Sequence, residues 1–285
     1  MPAQLMPTVD LHFITAAFYL LAALFAWVPR PMSVTIPAVP GESAGGRYVA
    51  VLVVLLLTSI RQVFEVLGDL FAATGINLSF ATALSLIVAI TMLIYTILGA
   101  VVSRADLVAR FLAPFAAIAA LLPAILPGQH VLPYGSQALF KIHFIVAMFA
   151  YALFTVATLH ALLMAAVESW LHRGDLPPTA RGLPPLLHME KLLFRLLLAA
   201  FVLLTFTLLS GAFFSEALFG KPFRFSHKTL FGFLSWGIFA WLLYGHWKFG
   251  WRGKKAMVLT LSGFAMLLLA YIGTKFVLEI LLGRA

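Results

Sequence analysis

Cysteine is absent from the 285-residue sequence. That excludes disulfides, thiolate zinc sites, thiol redox relays and haem attached through cysteine. Charge is scarce: Asp, Glu, Lys and Arg make up 10% of the chain, against about a quarter in soluble domains. The first ten residues carry no Lys or Arg, so the charged leader of a cleaved signal peptide is missing, and the first apolar run is read as a retained span. No Walker loop, nucleophile elbow, His-Glu-x-x-His helix or dinucleotide fingerprint occurs. No nucleophile has an evident base, so the chain does not read as an enzyme. No polar stretch is long enough for a sizeable soluble domain, and no short-period repeat is present.

What is abundant is apolar. Hydrophobic residues make up 63% of the chain, and the mean hydropathy is +1.04. A membrane span needs about 20 apolar residues. The runs fall at 11–28, 48–71, 77–98, 107–126, 137–167, 186–210, 227–247 and 256–282. The fourth contains Pro114 and Pro123, which are expected to break it. The runs do not alternate in polarity as barrel strands do, and in lipid only helices or closed barrels satisfy the backbone. The predicted fold is therefore all-α: a single polytopic transmembrane domain over residues 1–285 with about eight spans.

The net charge of +9 reflects basic loops rather than a nucleic-acid surface. One set of alternate loops holds Arg30, Arg47, Arg104, Arg173, Arg181, Lys248, Arg252, Lys254 and Lys255; the other holds Lys141, Lys221, Arg224, Lys228 and Arg284. The positive-inside rule places the richer set in the cytoplasm, so both termini are expected on the outer, periplasmic side of a bacterial inner membrane.

In that topology His143 and His227 enter the membrane from the outer face. Two imidazoles at one depth could ligate a haem iron axially, with coordinating nitrogens roughly 4 Å apart if each bond is near 2 Å. Lys141 and Lys228 would then be placed to neutralise propionates. The plainer reading is two interfacial histidines bonded to backbone or headgroups. His160 follows His143 by 17 positions and His246 follows His227 by 19, roughly 25 and 28 Å of helix. They form either an inner pair, as a relay would need, or ordinary interfacial residues. His12 is expected at the outer interface. Arg61, Glu65 and Asp69 share one face of the second span. Intramembrane charge marks a functional site by default, so Arg61, with Gln62, either lines a cavity or forms an internal pair with Glu65. Lys275 and Glu279 make a similar pair in the last span.

Several separated motifs occur in a characteristic order. They are His130-Val-Leu-Pro-Tyr-Gly-Ser, His143 and Ala150-Tyr-Ala; then Leu183-Pro-Pro-Leu-Leu, Glu190-Lys-Leu-Leu-Phe-Arg195 and Leu208-Leu-Ser-Gly211. His227-Lys-Thr, Gly250-Trp-Arg-Gly253 and Ala270-Tyr-Ile-Gly-Thr-Lys-Phe-Val277 follow. Together they resemble the HemX-like, or YpjD-like, branch of the cytochrome c assembly membrane proteins, over nearly the whole chain from Gly75 onward. The resemblance implies an eight-span haem-handling fold related to the CcsA and CcmC haem carriers. It implies non-covalent b-type haem, with His143 and His227 at the positions of the outer axial pair. Lys141, Arg224 and Lys228 become propionate candidates. The implied role is cytochrome c assembly or haem trafficking, with cytochrome c maturation or haem-biosynthesis proteins as partners besides lipid. Two departures accompany it. The loop 211–226 has no tryptophan where the carriers present a Trp-Trp-Asp run, and Arg61-Gln62 stands where relatives often have a span-two histidine. The alternatives are a cofactor-free scaffold or regulator of tetrapyrrole metabolism, docking through its basic face, and a transporter of another solute.

Overall fold

The apolar runs fold as helices because a backbone removed from water must bond to itself. In the computed structural model the described residues are 6–28, 44–71, 76–77, 79–101, 108–126, 131–132, 138–174, 177, 183–213, 215 and 227–270. The helices are α1 (Met6–Trp27), α2 (Ala44–Leu70), α3 (Phe80–Val101), α4 (a π turn at Val108–Leu112 continuing as Ala113–Ile125), α5 (Ala138–Arg173), α6 (Leu186–Phe213), α7 (His227–Phe249) and α8 (Gly253–Leu268). Four of them, α2, α3, α5 and α6, contain stretches long and apolar enough to cross a membrane, and α1 and α4 contain shorter apolar helices. Two strands of two residues each, Ile76–Asn77 and Val131–Leu132, pair antiparallel. Segments this short have no periodicity to read. Residues 271–282 of the last expected span, with Lys275 and Glu279, lie outside the described residues.

The surface is that of a membrane protein. Phe64, Phe115 and Phe213 are at least 70% exposed, while Ser59, Gln62 and Ser85 are fully buried. Lipid reverses the cost of exposing apolar area and raises the cost of exposing polar atoms.

Pro114 and Pro123 do not break the fourth span. Pro114 sits at the first turn of the α-helical part of α4, directly after the π turn. A missing N–H costs least at a helix start, and the wider turn absorbs the lost bond. Pro123 lies in the last turn, inside the helix.

The chain divides into two compact units, and α3 crosses the division at residues 83–84. The first unit holds α1, α2, α4 and most of α3. Its seam is made of alanines: Ala16, Ala22, Ala23 and Ala26 of α1 pack with Ala109, Ala113, Ala116, Ala117 and Ala120 of α4. Small side chains let helix backbones approach where lipid supplies no hydrophobic drive. Arg110 donates from Nη2 to the Ala26 carbonyl at 2.7 Å, placing a cation at the C-terminal end of α1.

The second unit holds residues 71–83 and α5 to α8. Each helix packs on the next, and α8 packs back on α5, which closes a four-helix ring. At its centre Phe154 and Phe239, both fully buried, stack with centroids 4.0 Å apart. Gly263 makes this possible, since a Cβ there would lie 2.8 Å from the Phe239 ring. Ser235 donates to the Gly263 carbonyl at 2.8 Å, and Tyr151 to that of Leu267 at 3.0 Å.

Candidate functional site

The second turn of α5 carries His143, and the end of α6 carries Ser210 and Gly211. The His143 Nδ1 lies 2.7 Å from Ser210 Oγ. That hydroxyl donates its own proton to the Thr207 carbonyl at 3.1 Å. The assignment that satisfies both contacts has Ser210 accept from His143 Nδ1–H. In that tautomer Nε2 carries the lone pair, the form an imidazole takes as a metal ligand. A Cβ on Gly211 would stand 3.6 Å from His143 Cε1, in ordinary contact.

The register between α6 and α7 brings the start of α7 to the same level. Thr205 receives a hydrogen bond from Trp236 Nε1 at 2.9 Å, and the Gly232 position faces Leu208. The pairs step in opposite directions along the two helices, so one further turn sets His227 and Lys228 beside the end of α6. Both are exposed. The Lys228 ammonium bears electrostatically on His143. The Lys141 ammonium stands 5.4 Å over the Phe71 ring, a cation–π distance. Arg224 lies outside the described residues. The structure thus sets His143, His227 and Lys228 at one end of the ring of helices. Ser210 carried no signal of its own, because a lone serine in an apolar helix resembles any other. Its place in the motif Leu208-Leu-Ser-Gly211 was its only mark.

Toward the opposite end His160 and His246 are packed into the scaffold, while His172 and His188 are exposed. His160 is buried, with Nε2 bonded to the Met189 carbonyl at 2.9 Å. His246 stacks on Phe194 with centroids 3.4 Å apart, and its Nδ1 bonds the Trp251 carbonyl at 2.9 Å. Gly250 makes that last contact possible. Its φ of 65° is the left-handed value that favours glycine. Gly250 N–H returns to the His246 carbonyl at 3.0 Å, the bond of an αL cap, and Trp251 N–H reaches the Gly245 carbonyl at 3.2 Å. The Trp251 ring then covers Gly245, where any Cβ would overlap it. Arg252 pairs with the largely buried Glu190 at 3.2 Å, and the Lys255 ammonium sits 3.3 Å over Trp251.

In the first unit Arg61 turns to α1, donating from Nε to Thr15 Oγ1 at 3.0 Å and from Nη2 to the Leu11 carbonyl at 3.1 Å. Gln62 is fully buried and accepts from Tyr19 OH at 2.8 Å. His12, expected at the outer interface, does not open to the surface. It is buried against Glu65 and Asp69, because α1 brings His12, Thr15 and Tyr19, which share one helical face, onto the polar face of α2. Among the described residues no group of three His, Asp or Glu side chains forms a metal-ligand set.

Comparison with known proteins agrees with the order of motifs. A family model described as cytochrome C assembly protein matches residues 48–282. The inner membrane protein YpjD of Escherichia coli K12 is 27% identical over 91% of this chain and 98% of its own length. A 28.8 kDa protein from the nifR3-like 5' region of Azospirillum brasilense is 30% identical over 93% of this chain and 98% of its own. The cytochrome c biogenesis protein CcsA of Prochlorococcus marinus is 33% identical over 31% of this chain and 28% of its own. No solved structure matches.

Proposed function

Starting from the fact that the chain belongs to the cytochrome c assembly protein family, in its YpjD-like branch and in the inner membrane, we propose that it binds haem at the His143 end of α5–α8 and acts in cytochrome c biogenesis or haem trafficking. The observation that carries this reading is the His143–Ser210–Thr207 chain. It holds the imidazole as the Nδ1–H tautomer, which presents Nε2 as a ligand. His227, at the same level on α7, is the second axial candidate. Lys141 and Lys228 are the propionate contacts among the described residues, and Arg224 is a third candidate by position.

When bound, haem would supply an iron that takes two imidazoles. The protein's part is to orient the ligands and balance the propionates. Ser210 fixes the His143 ring, and Lys228 supplies positive charge beside it. The cytochrome c part of the reading is supported by the family model and by CcsA, which is named as a cytochrome c biogenesis protein. The proposed topology has eight spans and both termini outside, with the basic turn between α7 and α8 in the cytoplasm.

The test is an absorption spectrum of the detergent-purified protein, as isolated and after dithionite, repeated after adding haem. A Soret band with sharp reduced visible bands is expected. A colourless protein that takes up no added haem would overturn the reading.

A further inference from the structure

Where α1 crosses the C-terminal half of α2, one imidazole is held between two carboxylates. His12 Nε2 lies 2.8 Å from Asp69 Oδ2, and His12 Nδ1 lies 3.1 Å from Glu65 Oε1. The His12 and Glu65 side chains are 4% and 5% exposed. Asp69, in the last turn of α2, is 25% exposed. The second Glu65 oxygen is occupied, since Thr15 Oγ1 donates to Oε2 at 2.6 Å. Glu65 Oε1 and His12 Nδ1 are buried without a hydrogen-bond partner, although they face each other.

That arrangement is one proton short as ordinarily written. A neutral imidazole has one N–H and one lone pair, and an ionised carboxylate only accepts. If Nε2–H is donated to Asp69, the Nδ1 lone pair faces the Glu65 oxygen in a buried site. Two opposed acceptors out of water are costly. One proton resolves this, on Nδ1 or on Glu65 Oε1. Charge leads to the same count. Arg61 lies 3.9 Å from Glu65 Oε2 and balances one carboxylate, and the extra proton balances the other. The groups facing His12 are Glu65 and Asp69 from α2, with Arg61 behind Glu65; α4 offers the backbone at Ala120. The α4 cation among the described side chains, Arg110, is at the far end of α1 on the Ala26 carbonyl.

We propose that His12, Glu65 and Asp69 form a proton-binding site, which takes up one proton through the partly exposed Asp69 end and holds it between His12 and Glu65 inside the α1–α2 interface. The site lies in the first unit and is independent of the haem reading. Loss of the proton leaves one uncompensated negative charge against α1, so the α1–α2 contact is itself proton-dependent.

The experiment is nitrogen-15 NMR of histidine-labelled, full-length protein in lipid nanodiscs at roughly pH 8, where a free imidazole is almost wholly neutral. It is paired with infrared spectra in the carboxylic-acid region. His12 is assigned by difference against His12→Gln. The expected result is either a His12 ring protonated on both nitrogens or a carboxylic-acid band that disappears in Glu65→Gln. Either form means one proton bound per chain. Glu65→Gln keeps the shape of the site and supplies an amide donor to Nδ1, so its His12 should be neutral. A neutral His12 in the unsubstituted protein with no acid band lost in Glu65→Gln would overturn the proposal, and a band lost only in Asp69→Asn would do the same, since the proton would then sit outside the His12–Glu65 pair.

Discussion

A pair of histidines stands toward each end of the α5–α8 ring, His143 and His227 at one and His160 and His246 at the other, and the two pairs are held differently. At one end His246 is stacked on Phe194 and bonded to the Trp251 carbonyl, and His160 is buried against the Met189 carbonyl. These rings hold α6 to the α7–α8 turn and to α5. At the other end a serine hydroxyl orients His143, and His227 begins a helix and is exposed. Between them lies the Phe154–Phe239 stack. The lesson is that a histidine on a membrane helix is read by what holds it. A backbone carbonyl and an aromatic face make it part of the scaffold, and a hydroxyl that fixes one ring nitrogen orients the other as a ligand would need.

That contrast can be broken from the centre outward. Phe239→Ala empties the middle of the ring, which separates the two ends. It should cost about 3–5 kcal/mol, as for other buried aromatics, seen as a large fall in the thermal midpoint of the detergent-purified protein. His246→Ala removes a hydrogen bond and a stacked ring. It should lower stability by roughly 2 kcal/mol and leave haem content unchanged in the same preparation. Ser210→Ala should do the reverse. Stability should fall by only about 1 kcal/mol, while haem affinity falls about tenfold, since a lost ligand-orienting partner costs that much or more. Haem titration followed at the Soret band checks it. Lys228→Gln should have the smallest effect, a few-fold loss of haem affinity that shrinks with added salt, because screening weakens exposed charge.

The helices were legible because each apolar run is long enough to need its own backbone bonds. Their interruptions were harder to read. Pro114 and Pro123 look like breaks in a string of letters, yet a π turn and a helix end accommodate them. The polar face of α2 was visible from the spacing of Arg61, Glu65 and Asp69. Its partner was not, because His12 lies 57 positions from Asp69 and only the packing of α1 brings them together. Ser210 was hidden for the same reason, 67 positions from His143. The two histidine pairs have nearly the same spacing in sequence. Only the neighbours of each ring separate them.

The most direct measurement is the dithionite-reduced spectrum, per mole of protein, of His143→Ala, His227→Ala, His160→Ala and His246→Ala beside the unsubstituted chain. The account predicts that haem is lost in the first two and kept in the last two. Undiminished haem in both His143→Ala and His227→Ala, or its loss only at the His160 and His246 end, would contradict it.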